Sequence, residues 1–187
     1  GSFGIRLLLS LFQSVTPRTA GFNTADFSQL SASGQMLTII LMLIGGSPGS
    51  TAGGMKTTTL AVLTATAVSV FRRNETPELF KRRIATETVA NAASILMMYL
   101  SLCLTGAFLI SRIEELPMMA CMFETASAVG TVGLSFGITP GLGSISRIIL
   151  IILMYLGRVG GLTLIYAALS GHRIRLGKYP LEKITVG

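Results

Sequence analysis

Residues 34 to 71 run for 38 positions with Lys56 as their only charge, and as one straight helix they would measure about 57 Å. A bilayer core of about 30 Å is crossed by about 20 mostly apolar residues, so this run is too long for a single span. Its middle settles the matter. Gly45 to Gly54, GGSPGSTAGG, holds five glycines and Pro48 and cannot stay helical. The expectation is two helical arms, near 32–44 and 57–71, joined by non-helical backbone at membrane depth. Such backbone is tolerated there only when buried in protein or lining a water-filled cavity, so the break implies a permeation pathway beside it.

The rest of the chain agrees with a membrane setting. Only 12% of its 187 residues are charged, about half the share of a soluble domain, and mean hydropathy is +0.68. Soluble enzymes, collagen-like chains, disordered chains and secreted disulfide scaffolds are excluded. Residues 89–111 carry no charge and 148–171 carry only Arg158, so both are long enough to span. Residues 4–16 and 117–130 are apolar but cover only about 20 Å each, which suits re-entrant half-helices. Pro117 fits a helix N-terminus, with Glu114 and Glu115 ahead of it to favour the positive dipole end. Cys103 and Cys121 lie in apolar stretches, where cysteine acts as a small hydrophobe.

The chain has 15 Lys and Arg against 8 Asp and Glu, a net charge of +7. Position gives this charge its meaning. Arg72, Arg73, Lys81, Arg82 and Arg83 share one short segment, and Arg173, Arg175, Lys178 and Lys183 follow the last apolar run. Both clusters flank apolar stretches, as the positive-inside rule produces on the cytoplasmic side. The balance is therefore topology, not a nucleic-acid footprint. With 72–86 and 172–187 cytoplasmic, helix 89–111 runs outward, 117–130 dips in from outside and 148–171 returns. The apolar core after Arg6 is too short for a signal peptide, and the chain does not open on methionine. It reads as a fragment of a larger protein.

Sliding the chain on itself by 112 positions aligns Thr19 with Thr131, Gly21 with Gly133, Leu30 with Leu142, Ile39–Met42 with Ile151–Met154, and Gly45 with Gly157. It also aligns Gly49 with Gly161 and Thr51 with Thr163. Each copy reads as half-helix, glycine-containing extended loop, inner helix. Directly after the half-helices come Thr19-Ala20-Gly21-Phe22-Asn23-Thr24 and Thr131-Val132-Gly133-Leu134-Ser135. A dehydrated cation in a pore must replace its water oxygens, and backbone carbonyls can do so without committing a full negative charge. Glycine serves where the backbone takes conformations other residues resist, and a half-helix aims its partly negative C-terminus at the pore. The expected ion ligands are the carbonyls of Thr19, Ala20, Gly21, Phe22, Thr131, Val132, Gly133 and Leu134.

This layout resembles the Trk/Ktr/HKT superfamily of potassium transporters. TAGFNT looks like its third filter loop and Ser127 to Ser135, SAVGTVGLS, like its fourth. The resemblance implies an all-α membrane protein with potassium-channel-like repeats of outer helix, re-entrant pore helix and inner helix. Residues 1–72 are then a third unit lacking its outer helix, with pore helix 4–16, filter loop 19–24 and broken inner helix 32–71. A cytoplasmic loop, 73–86, leads to a fourth unit at 87–171, with outer helix 89–111, pore helix 117–130, filter loop 131–135 and inner helix 145–171. A basic tail, 172–187, follows. The resemblance also implies potassium as the transported ion, a homodimer of pore subunits that includes the other half of this pore, and regulation by a cytosolic nucleotide-binding ring. The basic segments could dock that ring or bind anionic lipid. Each loop has one glycine in place of the longer TVGYG run of potassium channels, so sodium stays open as a second ion.

In the resembled family the broken segment is an intramembrane gate, which here comprises Gly45, Gly46, Ser47, Pro48, Gly49, Ser50, Thr51, Ala52, Gly53 and Gly54. Arg158, alone in its span, costs several kcal/mol unless it finds partners or a cavity. The repeat sets it opposite Gly46, so it is expected to donate to carbonyls of the 45–54 loop and latch it across the pore. Glu124 is expected to support the second loop, Tyr99 and Asn91 to bond between helices, the Met97-Met98 and Met118-Met119 pairs to pack, and His172 to lie at the membrane exit. With one His and one Asp, catalysis has no candidates. Two rivals remain. A secondary transporter with discontinuous helices would predict inverted, not parallel, copies. A membrane-anchored NTPase would use the strand-like LTIILMLI and the glycine loop as a Walker A motif, but Met55 breaks the spacing and no Walker B aspartate follows.

Overall fold

The computed structural model describes residues 3–160 other than Ala25 and Glu75. It contains helices α1 (Phe3–Val15), α2 (Ala32–Leu43), α3 (Thr57–Phe71), α4 (Thr86–Glu114), α5 (Met118–Val129) and α6 (Ser144–Val159). A two-stranded antiparallel hairpin, β1 (Glu78–Leu79) with β2 (Arg82–Arg83), joins α3 to α4. Local chemistry sets the boundaries. The Ser31 hydroxyl caps α2 by accepting from the Gly34 N–H at 3.2 Å. Helix α4, 29 residues long and so about 43 Å, is the one described helix long and apolar enough to span a membrane. It stops at Glu115, which takes a left-handed φ of 55°, and Leu116 precedes a proline that disfavours further helix. Helices α1 and α5, of 13 and 12 residues, are each too short to cross.

Helix α5 sits at the centre and packs against α2, α4 and α6. All six residues from Glu124 to Val129, together with Cys121 and Phe123, are buried. On one side a core of Tyr99, Ala107, Ile110, Leu150 and Leu153 gathers α4 and α6 around it. On the other, Phe27, Ile39, Met42, Val132 and Leu134 bring in α2 and the loops, and Phe123 stacks on Phe136 at 3.9 Å between ring centroids. Helix α1 buries no side chain, so Phe3, Ile5 and Leu8 remain exposed. Of the two methionine pairs, Met98 and Met119 pack on the cores while Met97 and Met118 face outward, which corrects the assignment of those two to packing.

Three further expectations are revised. The strand-like LTIILMLI is helix, most of it within α2; only Ile44 makes a bridge, parallel, to Met55. A buried segment of that composition can take either form, and here the 3.6-residue repeat of Ile39 and Met42 toward the core decides. The inner helix expected over 145–171 is helical to Val159 and stops there, with Gly160 at φ 90°. Residues 161–187, including the tail and His172, lie outside the described residues. Glu114 does not serve the N-terminus of α5. It accepts from the Gly143 N–H at 2.9 Å and from the Ser146 hydroxyl, so it caps α6, whose start lies beside the end of antiparallel α4.

Gly157 shows how tightly these helices meet. A Cβ there would overlap the carbonyl of Val129 and lie 3.0 Å from its Cα. Gly→Ala normally stabilises a helix by about 1 kcal/mol; Gly157→Ala should instead destabilise by about 1–3 kcal/mol through overpacking. Thermal unfolding in detergent would show it, and a raised midpoint would mean α6 does not lie against the end of α5.

Candidate functional site

Both T-x-G loops leave their helices in the same unusual backbone. Thr19 and Thr131 have φ of 65° and 53°, and Gly21 and Gly133 have φ of 71° and 90°. Left-handed φ thus recurs at every second residue, at repeat-equivalent positions. Glycine accepts it freely, but a β-branched threonine is strained there. In the second loop the strain is built into a Schellman closure: the Val132 N–H donates to the Ser127 carbonyl at 2.9 Å and the Thr131 N–H to that of Ala128 at 3.1 Å. The hydroxyls of Thr19 and Thr131 are buried without a hydrogen-bond partner among the described residues.

The loops also touch. A Cβ on Gly21 would collide with the Val132 carbonyl and lie 3.9 Å from the Gly133 Cα, so only glycine lets the two backbones meet. Each loop is tied back by a hydroxyl on its helix. Thr16 Oγ1 donates to the Phe22 carbonyl at 2.7 Å, and the Gly133 N–H donates to Ser127 Oγ at 3.1 Å. The Phe22 carbonyl therefore has one lone pair already engaged.

Glu124 braces the second loop alone. Its Oε1 accepts from Ser135 Oγ at 2.6 Å and the Phe136 N–H at 3.0 Å, and its Oε2 from Thr139 Oγ1 at 2.8 Å. The 112-residue shift puts Phe12 at this place in the first copy, which cannot do the same. Past that loop, Asp26 turns its carboxylate forward and caps the turn Phe27–Gln29. The Ser28 hydroxyl, the Ser28 N–H and the Gln29 amide hold its carboxyl below the ordinary aspartate value. Stability from that cap is therefore present above the ordinary value and lost as pH falls through the lowered one.

Residues 45–54 lie directly beneath. The segment is closed at its neck, where the Gly45 N–H donates to the Met55 carbonyl at 2.7 Å and the Met55 N–H to that of Leu43 at 3.0 Å. Gly53 and Gly54 are buried, while Ser47 to Thr51 are exposed at the tip. Gly53 packs on the Thr131 side chain, and Gly130 packs on the Met42 carbonyl, so this loop and the second T-x-G loop share a contact. Arg158 Nη1 donates to the Thr51 carbonyl. A cavity of 540 Å³ runs from Glu124 and Ser135 past Thr131 and Gly133 to Arg158. Tyr99 donates to the Gly157 carbonyl at 3.3 Å, an interhelical bond between α4 and α6.

Lys56 is the residue that the sequence argument missed. Its Nζ donates to the carbonyls of Ala52 at 2.6 Å and Ser50 at 3.2 Å. The available signal was its isolation as the one charge in an apolar run. A phosphate loop needs converging N–H donors and a free lysine; here the lysine is turned onto carbonyls, which argues against nucleotide. Among the described residues no three His, Cys, Asp or Glu side chains gather to hold a metal.

Replacing Glu124 separates its acceptors from its bulk. Glu124→Ala removes the acceptor of the Phe136 N–H and of the Ser135 and Thr139 hydroxyls, of which one can still donate to the other, and should cost about 2–6 kcal/mol, at about 1–3 for each of the two donors left unpaired. Glu124→Gln keeps one acceptor oxygen and should cost less than half as much. Thermal unfolding of both variants checks this, and equal losses would overturn it.

Over residues 2–173 the chain matches the TrkH family, described as cation transport protein. It is similar to the potassium/sodium uptake protein NtpJ of Enterococcus hirae, 42% identical across 100% of this chain and 43% of that protein. It is also similar to the Ktr system potassium uptake protein B of Bacillus subtilis, 35% identical across 97% of this chain and 41% of that protein. The chain thus spans about two fifths of the length of these relatives. Among solved structures, the potassium transporter TrkH from Vibrio parahaemolyticus superposes with a TM-score of 0.68 over 84% of this chain and 36% of that one. At 24% identity that likeness is one of fold, and the described helices follow it. The match over residues 2–173 shows that the chain belongs to the TrkH family of cation transport proteins.

Proposed function

We propose that this chain supplies two pore units of a protein that admits potassium through a carbonyl-lined filter in the cytoplasmic membrane. The observation that carries the reading is the pair of touching T-x-G loops with matched left-handed φ at alternate residues. Reversing φ at every second residue turns alternate peptide planes over. Carbonyls that would otherwise point to opposite sides are thereby brought toward one side, as replacement of a hydration shell requires. In this reading α1 and α5 are re-entrant pore helices, with Thr19 to Phe22 and Thr131 to Leu134 forming the filter. The stranded threonine hydroxyls fit a lining that awaits water or an ion. The relatives' names, potassium uptake and potassium/sodium uptake, support potassium as cargo and leave sodium as a second ion.

Residues 45–54 form the gate beneath the filter, and Arg158 is its latch, reaching from the other unit to the Thr51 carbonyl. The apolar face of α1 is covered by lipid and by the remaining pore units. The protein works as a homodimer. The exposed basic hairpin and the basic tail face the cytoplasm, where a nucleotide-binding regulatory subunit docks.

Cation flux into liposomes, measured on the full-length protein carrying this chain, tests the reading. Gly21→Ser and Gly133→Ser should each abolish the preference for potassium over sodium. Gly21→Ser should also lower the folded yield, because it alone meets the Val132 carbonyl. Arg158→Gln should raise flux with preference intact. Wild-type preference in both serine variants would reduce the loops to turns and favour a transporter with discontinuous helices.

A further inference from the structure

The carbonyls of Ser50, Ala52 and Thr51 are consecutive acceptors at the tip of the 45–54 loop, and each is held by a cation. Arg158 takes the middle one and Lys56 the two that flank it. The two cations reach the loop from different directions. Lys56 is the residue before α3, so its amine folds the loop back on its own covalent continuation. Arg158 stands on α6 and ties the loop to the other unit.

We propose that Lys56 is a second latch of the gate, one that keeps the loop folded while Arg158 keeps it in place across the pathway. The inference rests on reading residues 45–54 as the gate. An ammonium has three donors and no acceptor, so it can hold both flanking carbonyls at once, which a neutral side chain of that reach cannot. Glycines at 49, 53 and 54 leave the loop little rigidity of its own, and Gly49 and Gly54 take left-handed φ. The only other bonds within the tip are those of Ser50, whose N–H and hydroxyl both donate to the Ser47 carbonyl. Without the amine, two carbonyls lose their partner and take water in its place, and the tip loosens where it should block. The two positive charges also oppose a cation leaving the filter, so both must be displaced for the path to conduct. Loss of Arg158 frees a folded loop to swing aside; loss of Lys56 leaves a tethered loop that no longer seals.

The test is potassium flux into liposomes holding the full-length protein without any regulatory partner, for wild type, Arg158→Gln, Lys56→Gln, Lys56→Arg and Lys56→Cys. Lys56→Gln should raise flux by about tenfold, the scale on which losing bonds from a charged donor shifts a two-state equilibrium. Its potassium preference should be unchanged, and Lys56→Arg should return flux toward wild type. Leak through Lys56→Cys should fall when an aminoethyl methanethiosulfonate restores a positive charge, and persist with an uncharged methyl reagent. Wild type under the same reagents controls for Cys103 and Cys121. Wild-type flux in Lys56→Gln alongside leak in Arg158→Gln overturns the second latch and leaves the gate standing. Wild-type flux in both overturns the gate itself. Failure of both Lys56→Gln and Lys56→Cys to yield folded protein overturns the proposal by assigning the lysine to folding.

Discussion

At the C-terminal end of α5, glycines allow close approach on three sides, two of backbone on backbone and one of backbone on the Thr131 side chain. Gly157 of α6 lies on Val129, the Met42 carbonyl of α2 lies on Gly130, and Gly53 lies on Thr131. No side chain larger than hydrogen fits at Gly157, Gly130 or Gly53, and close-packed interiors yield little to such demands. Everything around the candidate pathway depends on these contacts. They draw α2 and α6 to the level where the second T-x-G loop begins, and they set the loop between α2 and α3 beneath it.

Polar satisfaction follows from that placement. Interrupting α2 strips carbonyls of their helical donors, and at such depth each needs another partner. The neck pairs with itself between Leu43, Gly45 and Met55. The tip does so only at the Ser47 carbonyl, and Lys56 and Arg158 meet the carbonyls of Ser50, Thr51 and Ala52. The same economy shapes the other loops: a glutamate holds one, and a threonine hydroxyl holds the other. The two T-x-G loops are alike in backbone and different in bracing, so their responses to the same substitution should differ.

Much of the fold was legible in the chain. The arms of the broken helix, the short helices and the long one were readable because length and apolar content set what can cross a bilayer. The twin T-x-G loops were readable because a repeat in register outside the helices is rarely accidental. Glu114 was misplaced because a carboxylate near two helix starts suits either by charge; only the antiparallel docking of α4 and α6 chose between them. Lys56 went unassigned because its partners are carbonyls, which every residue carries and no pattern of side chains reveals. The end of α6 was hidden for a related reason, since isolated glycines within an apolar run do not announce which of them turns left-handed.

The sequence by itself determined the membrane setting, the repeat and the residues at which the backbone could leave the helix, since hydropathy, glycine and proline act through local physics. Which loop touches which was decided only by tertiary structure. The meeting of Gly21 with Val132, of Gly53 with Thr131 and of Arg158 with Thr51 joins positions far apart in the chain. Such contacts exist only once the helices have packed and chosen which surfaces have room for nothing but backbone.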